Sequence, residues 1–165
     1  MIGKGLSHGS PVEDVTDTDA PPAPDVLLLG TGDLTVPILN ALDDDYDVVI
    51  VTTDGDDREF DRDRVTVLNG DPSDDRMLSE AGVESCRVVI AATETDRFDA
   101  LAILSARDLA PETRIVAAAT NDENVSKLER AGADAVISPA SIGSRILVDS
   151  ALKSSSESPP QRGTE

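Results

Sequence analysis

The chain has no tryptophan, one tyrosine, two phenylalanines, one cysteine and one histidine in 165 residues. A single cysteine, Cys86, excludes an intramolecular disulfide and a cysteine-built metal site. The single histidine, His8, stands among glycines and prolines, where it reads as a solvated residue rather than a ligand or a base. Basic residues are scarce: 14 Lys plus Arg face 33 Asp plus Glu, a net charge of −19. That balance excludes nucleic-acid binding by phosphate neutralisation, which needs a basic stripe. No run approaches the ~20 apolar residues that span a bilayer, and no apolar core follows Met1 as in a secretory signal. These absences predict a soluble cytoplasmic domain. The length suits one domain and is short for a dinucleotide domain joined to a catalytic one.

Carboxylates are abundant instead, and they have a bias. Asp outnumbers Glu 23 to 10, and Arg outnumbers Lys 11 to 3. Such a surface stays hydrated in concentrated salt, where screening removes the repulsion among its carboxylates. The composition therefore predicts a halophilic setting, the plainer alternative being a generally acidic soluble protein. Residues 1–24 hold scattered glycines and prolines without apolar periodicity and read as a disordered arm. Residues 153–165 read as a disordered tail.

Between these arms six short apolar runs recur, at Val26–Leu29, Val48–Val51, Val65–Leu68, Val88–Ala91, Ile115–Ala118 and Ala135–Ile137. They are mostly branched and mostly lack polar alternation, the pattern of parallel strands buried on both faces. The intervening segments have helical spacing: Leu34, Ile38, Leu39 and Leu42; Leu101, Leu104 and Ala106–Leu109; Val125, Leu128 and Ala131. Ser73 and Asp122 mark helix starts, and Gly82 and Gly132 mark helix ends. Strands alternating with helices predict one α/β domain over 25–152, a Rossmann-like doubly wound parallel sheet of about six strands.

The first strand runs into Gly30-Thr31-Gly32-Asp33-Leu34-Thr35, and a helix follows. This is the context of a dinucleotide fingerprint. Gly30 permits the tight turn, and Gly32 admits a pyrophosphate to the backbone. Thr35 replaces the third glycine, which predicts a helix set slightly farther out. Asp33 can cap the same N–H groups that a phosphate would use and would repel that phosphate. At the tip of the second strand, Thr52 or Asp54 is placed to meet a ribose; Arg58 is the first cation in that loop, which disfavours a 2′-phosphate. The alternative is a strand-to-helix turn that keeps only its folding glycines.

Further motifs follow in order: Gly70-Asp71-Pro72-Ser73-Asp74, Ala81-Gly82-Val83, Val88-Val89-Ile90-Ala91-Ala92-Thr93, Asp99-Ala100-Leu101-Ala102, and Leu128-Glu129-Arg130-Ala131-Gly132-Ala133-Asp134 through Ser138-Pro139. Together these resemble the TrkA-N, or RCK, domain that regulates potassium channels and transporters, over about residues 25–152. The Gly-Asp-Leu-Thr-x-Pro-Ile-Leu stretch is most similar to domains on potassium channels of salt-loving archaea. The resemblance implies a regulatory site for NAD(H), or for ATP, ADP or AMP. By position, Gly30, Thr31, Gly32, Asp33 and Leu34 would face the phosphates, and Thr52 or Asp54 the adenosine ribose. Asp71, with Pro72 nearby, would lie beside the adenine, and Thr93 near the phosphates or a second ribose. It also implies a homodimer or larger ring, a membrane channel or transporter as partner, and a place at the inner face of the membrane. For Asp71 a plain turn that caps the next helix is the competing reading.

The departures from that pattern are Asp99 where the family often has Asn, and Ala118 where it often has Arg. With Asp33 they make the crevice more acidic, which leaves open a module that assembles without binding nucleotide. The ordered region has no His, and its only Tyr is Tyr46, so an oxidoreductase lacks an acid–base group and the protein is expected not to be an enzyme. Only 13 residues follow Leu152, so the family's companion subdomain is missing from this chain. A stand-alone subunit, a truncated relative and a fragment of a channel all fit. The last helical segment, Ser141–Leu152, carries Ile142, Ile146, Leu147 and Ala151 on one face, to pair domains or to pack on its own sheet.

Overall fold

The computed structural model describes residues 23–55 and 60–157, with the backbone only for 154–157. Six strands form one all-parallel sheet: β1 Val26–Leu29, β2 Val48–Thr52, β3 Val65–Asn69, β4 Val88–Ala91, β5 Arg114–Ala118 and β6 Ala135–Ile137. Each contains one of the apolar runs. The spatial order is β3-β2-β1-β4-β5-β6. β1 lies between β2 and β4, with Val26 beside both Val48 and Val88. The chain order reverses between β1 and β4, which opens a crevice at the carboxyl ends of those strands. The helices are α1 Thr35–Ala41, α2 Asp75–Glu80, α3 Asp96–Leu109, α4 Val125–Ala131, preceded by a 3₁₀ turn at Asp122–Asn124, and α5 Pro139–Glu157.

The core has two parts, one on each side of the sheet. Leu27, Leu29, Val49, Val51, Val89 and Ile115 meet Leu78 of α2, Ile103 of α3 and Leu128 of α4. On the other side Val26, Leu28, Val48 and Ile50 meet Leu39 of α1 and Phe60. Only β1 and β2 are fully buried on both faces. β4 and β5 bury alternate residues, and the edge strands β3 and β6 are partly open. The expected two-sided burial fails on β5 because α2, α3 and α4 serve one side, while Val116 and Ala118 on the other stay half-buried.

The inward face of α3 is Asp99, Ala102, Ile103 and Ala106. Leu101 and Leu104 point outward, at 50% and 47% exposure. Of the expected face, Ala106 is buried and Leu109 packs on the core, but Leu101 and Leu104 give way to Ala102 and Ile103, because the small Ala102 and Ala106 let the helix approach the sheet closely. Gly82 and Gly132 end α2 and α4 with φ of +90° and +130°. Behind them the Val83 and Ala133 N–H groups bond back to Leu78 and Leu128, closing Schellman turns. The cap of α2 is Asp74, which accepts from Arg76 N–H, rather than Ser73. α5 continues to Glu157, five residues into the segment read as a tail. The remainder of both arms, His8 and Arg58 lie outside the described residues.

Candidate functional site

The crevice holds a cavity of about 480 Å³. Its walls come from the ends of β1, β2, β3 and β4. Of the sequence-predicted residues, Gly30, Thr31, Thr52, Asp54, Asp71, Pro72 and Thr93 line it together. Gly32, Asp33 and Leu34 lie in the adjoining loop and do not line it.

Gly30 adopts φ +88°, and a Cβ there would lie 2.5 Å from Thr93 Cγ2. Both conditions require glycine. The next turn is held by Thr35, which is buried: its hydroxyl accepts from Gly32 N–H at 2.8 Å, and its own N–H reaches the Gly32 carbonyl. Thr35 thus closes the loop in place of a third glycine. The Asp33 carboxylate does not cap α1, whose start has no side-chain cap. Asp33 is exposed, and its N–H donates instead to Glu94 Oε2.

At the tip of β2 the two ribose candidates separate. Thr52 is buried, shares a hydrogen bond with Thr31 Oγ1 at 3.1 Å and accepts from Asp54 N–H at 3.2 Å. Its hydroxyl is committed to holding two loops together. Asp54 is exposed and lines the cavity. Across the crevice, Asp71 Oδ1 accepts from the Ser73 N–H at 2.8 Å and the Ser73 hydroxyl at 2.7 Å. These bonds hold the Asp71 carboxyl below its usual range. The Asx turn fixes the wall without capping α2, so Asp71 still faces the cavity.

Thr93 and Asp99 form the floor. Asp99 is fully buried and accepts from the Thr93 hydroxyl at 2.8 Å and the Thr93 N–H at 3.2 Å. Burial pushes its pKa up to about 6 despite those bonds, with Asp96 and Glu94 adding repulsion. Asp96 starts α3 and accepts from Thr120 N–H, Asn121 N–H and the Asn124 side chain. Burial raises its pKa, but these bonds outweigh that effect and leave the carboxyl below its usual range. A second hollow of about 450 Å³ lies along this junction and shares Glu94 and Thr95 with the first.

A nucleotide-sized cavity at the strand-order reversal, entered past a Gly-x-Gly turn, is the geometry of a dinucleotide domain. The family model of the TrkA-N domain matches residues 26–139. The chain belongs to the TrkA-N family. This TrkA-N domain is 33% identical over 85 residues to the voltage-gated potassium channel Kch of Escherichia coli K12, covering 52% of the chain and 20% of Kch. It is 34% identical over 73 residues to the Trk system potassium uptake protein TrkA homolog 2 of Methanosarcina mazei, covering 44% of the chain and 16% of that protein. The chain thus spans a fifth or less of these two relatives. Among solved structures it is similar to the GsuK channel bound to NAD, with TM-score 0.63 and 25% identity over 70% of the chain and 21% of the channel. GsuK has also been solved bound to ADP.

The walls of this TrkA-N cavity also contain residues that the sequence motifs did not single out as site residues, among them Glu94, Phe98 and Leu101. Glu94 follows Thr93 directly, and its adjacency was the available signal. Phe98 and Leu101 give the cavity an apolar lip, with Phe98 64% exposed. Asp54, Asp71, Glu94 and Asp99 bring four carboxyl groups to the lining, while no Lys or Arg lines it among the described residues. No helix among those residues is long and apolar enough to cross a membrane.

Proposed function

We propose that this domain is a cytoplasmic, non-catalytic regulatory module of a potassium channel or transporter, which binds NAD(H) or an adenine nucleotide in the crevice. The observation that carries the reading is the cavity at the β1/β4 reversal in a chain of the TrkA-N family. Its relatives are potassium channel and Trk uptake proteins, and a similar channel binds NAD and ADP. In this reading Gly30, Thr31 and Gly32 receive the phosphates, with Asp33 and Leu34 beside them. Asp54 rather than the committed Thr52 meets the ribose, Asp71 and Pro72 border the adenine, and Thr93 stands between the two hollows. A dinucleotide would extend into the second hollow, where Arg97 and Lys127 supply cations.

Regulation requires that the nucleotide favour one arrangement of assembled domains over another. We assign that assembly to α5. Ile142, Ile146, Leu147, Val148 and Leu152 are 50–72% exposed along it, so the helix does not pack on its own sheet. A second copy would cover this face, giving the homodimer or ring from which a membrane partner is driven. The acidic composition suits a cytoplasm rich in salt.

A second reading, an assembly module without nucleotide, is favoured by the lack of a basic residue among the described residues that line the main cavity. Thermal-shift titration with NAD⁺, NADH, ATP, ADP and AMP in molar KCl separates the two. Binding to the folded state raises the midpoint with ligand concentration. A midpoint unmoved at millimolar levels of every nucleotide leaves assembly alone.

A further inference from the structure

We propose that Glu94 is a built-in anion of the glycine loop: its carboxylate holds the phosphate position and must swing out before a nucleotide binds. This rests on the nucleotide reading above and adds its regulation. Two contacts place the carboxylate there. Glu94 Oε2 accepts the Asp33 N–H, one of the loop amides offered to a phosphate. The space left by the missing Cβ of Gly32 is filled by the same group, with Glu94 Cδ 2.8 Å from where that Cβ would stand. A carboxylate on a backbone N–H is a charge-assisted bond of the kind a phosphate oxygen would make. The two anions therefore compete for one donor and one hollow.

Among the described residues the Glu94 side chain has no hydrogen bond besides the one from Asp33; its backbone carbonyl accepts from the Thr120 hydroxyl. Glu94 is exposed on the connection between β4 and α3, and no ion pair is described for it. Its side chain can leave by ordinary rotamer changes, without moving the backbone. Glu94 also borders both hollows, so a ligand reaching from one to the other passes it. With the carboxylate in place an incoming phosphate meets Asp54, Asp71, Asp99 and Glu94 and, among the described residues, no lining cation. The observed affinity is then the intrinsic affinity reduced by the fraction of molecules with Glu94 swung out.

The test uses the whole chain, Glu94→Gln and Glu94→Ala, in molar KCl. In the free proteins, the Asp33 amide proton resonance should move upfield in both variants relative to the parent, most in Glu94→Ala. An Asp33 amide indifferent to both substitutions overturns the proposal without touching the nucleotide reading. Calorimetric titration with ADP and NAD⁺ should then show both variants binding at least about fivefold more tightly than the parent. Equal or weaker binding by the variants also overturns it, and gives Glu94 a role in holding the ligand. If the amide responds but none of the three proteins binds at millimolar concentration, the nucleotide reading fails and the gate falls with it.

Discussion

At the scale of the residue, glycines two positions apart do different work. Gly30 has a left-handed φ and a side chain directly beneath it, whereas Gly32 faces only the mobile end of Glu94. Gly30→Ala should therefore lose about 1–3 kcal/mol of stability in urea denaturation. Gly32→Ala should stay within about 1 kcal/mol of the parent, because a flexible side chain can yield. Equal losses at both positions would refute this division. Asp99 gives a pH signature. Its folded pKa of about 6 lies above the ordinary value of 3.8, so the fold binds the proton more tightly than the unfolded chain does. Its contribution is fully present below about pH 4 and is lost as pH rises to about 6. Asp99→Asn keeps a neutral acceptor for Thr93, so its stability relative to the parent should be flat below about pH 4. That difference should grow toward pH 7, by up to roughly 3 kcal/mol. Guanidinium titrations at a series of pH values read the difference directly.

At the scale of the element, every strand was legible as a short apolar run between helix-like segments, most plainly β1 and β2, which are buried on both faces. The helix ends at Gly82 and Gly132 were legible because a left-handed residue has little choice but glycine. The inward face of α3 was legible only at Ala106 and Leu109. Its outward Leu101 and Leu104 are more apolar than its inward Ala102, so hydrophobicity misplaced the first half of the helix. The site was legible where backbone shape dictates a residue, as at Gly30. It was obscure where side chains choose among partners. The sequence offered both Thr52 and Asp54 to the ribose, and only the Thr31 hydrogen bond separates them, while Glu94 reaches the loop across 61 residues of chain. α5 shows both limits. Its apolar face was visible, but only the structure shows that it leaves the sheet, anchored through Ser138 and Ser141 to Asp122. Leu147, 72% exposed, should lie in the domain–domain contact. Leu147→Asp should shift the chain toward monomer in light scattering, with little change in its far-ultraviolet circular dichroism. A parent that is already monomeric at high concentration would contradict the assembly role of α5.

At the scale of the molecule, a charge of −19 and four carboxyl groups on one cavity act in the same direction. Both repel an anionic ligand, and both are screened by salt. Stability and nucleotide affinity should rise together as KCl increases from about 0.1 M, where the Debye length is about 10 Å, to about 1 M, where it is about 3 Å. This is the reverse of the weakening that salt causes when lysines and arginines hold the phosphate. An ADP affinity that falls with salt would point to a cationic site outside the main cavity. The measurement that bears most directly on the crevice as a nucleotide site is calorimetric titration of the parent and Gly32→Asp with NAD⁺ and ADP in molar KCl. The cavity reading predicts a saturable one-to-one isotherm for the parent. It predicts none for Gly32→Asp, which keeps its fold but places a second carboxylate against the loop. Matching isotherms for the two proteins, or no heat from either, would contradict it.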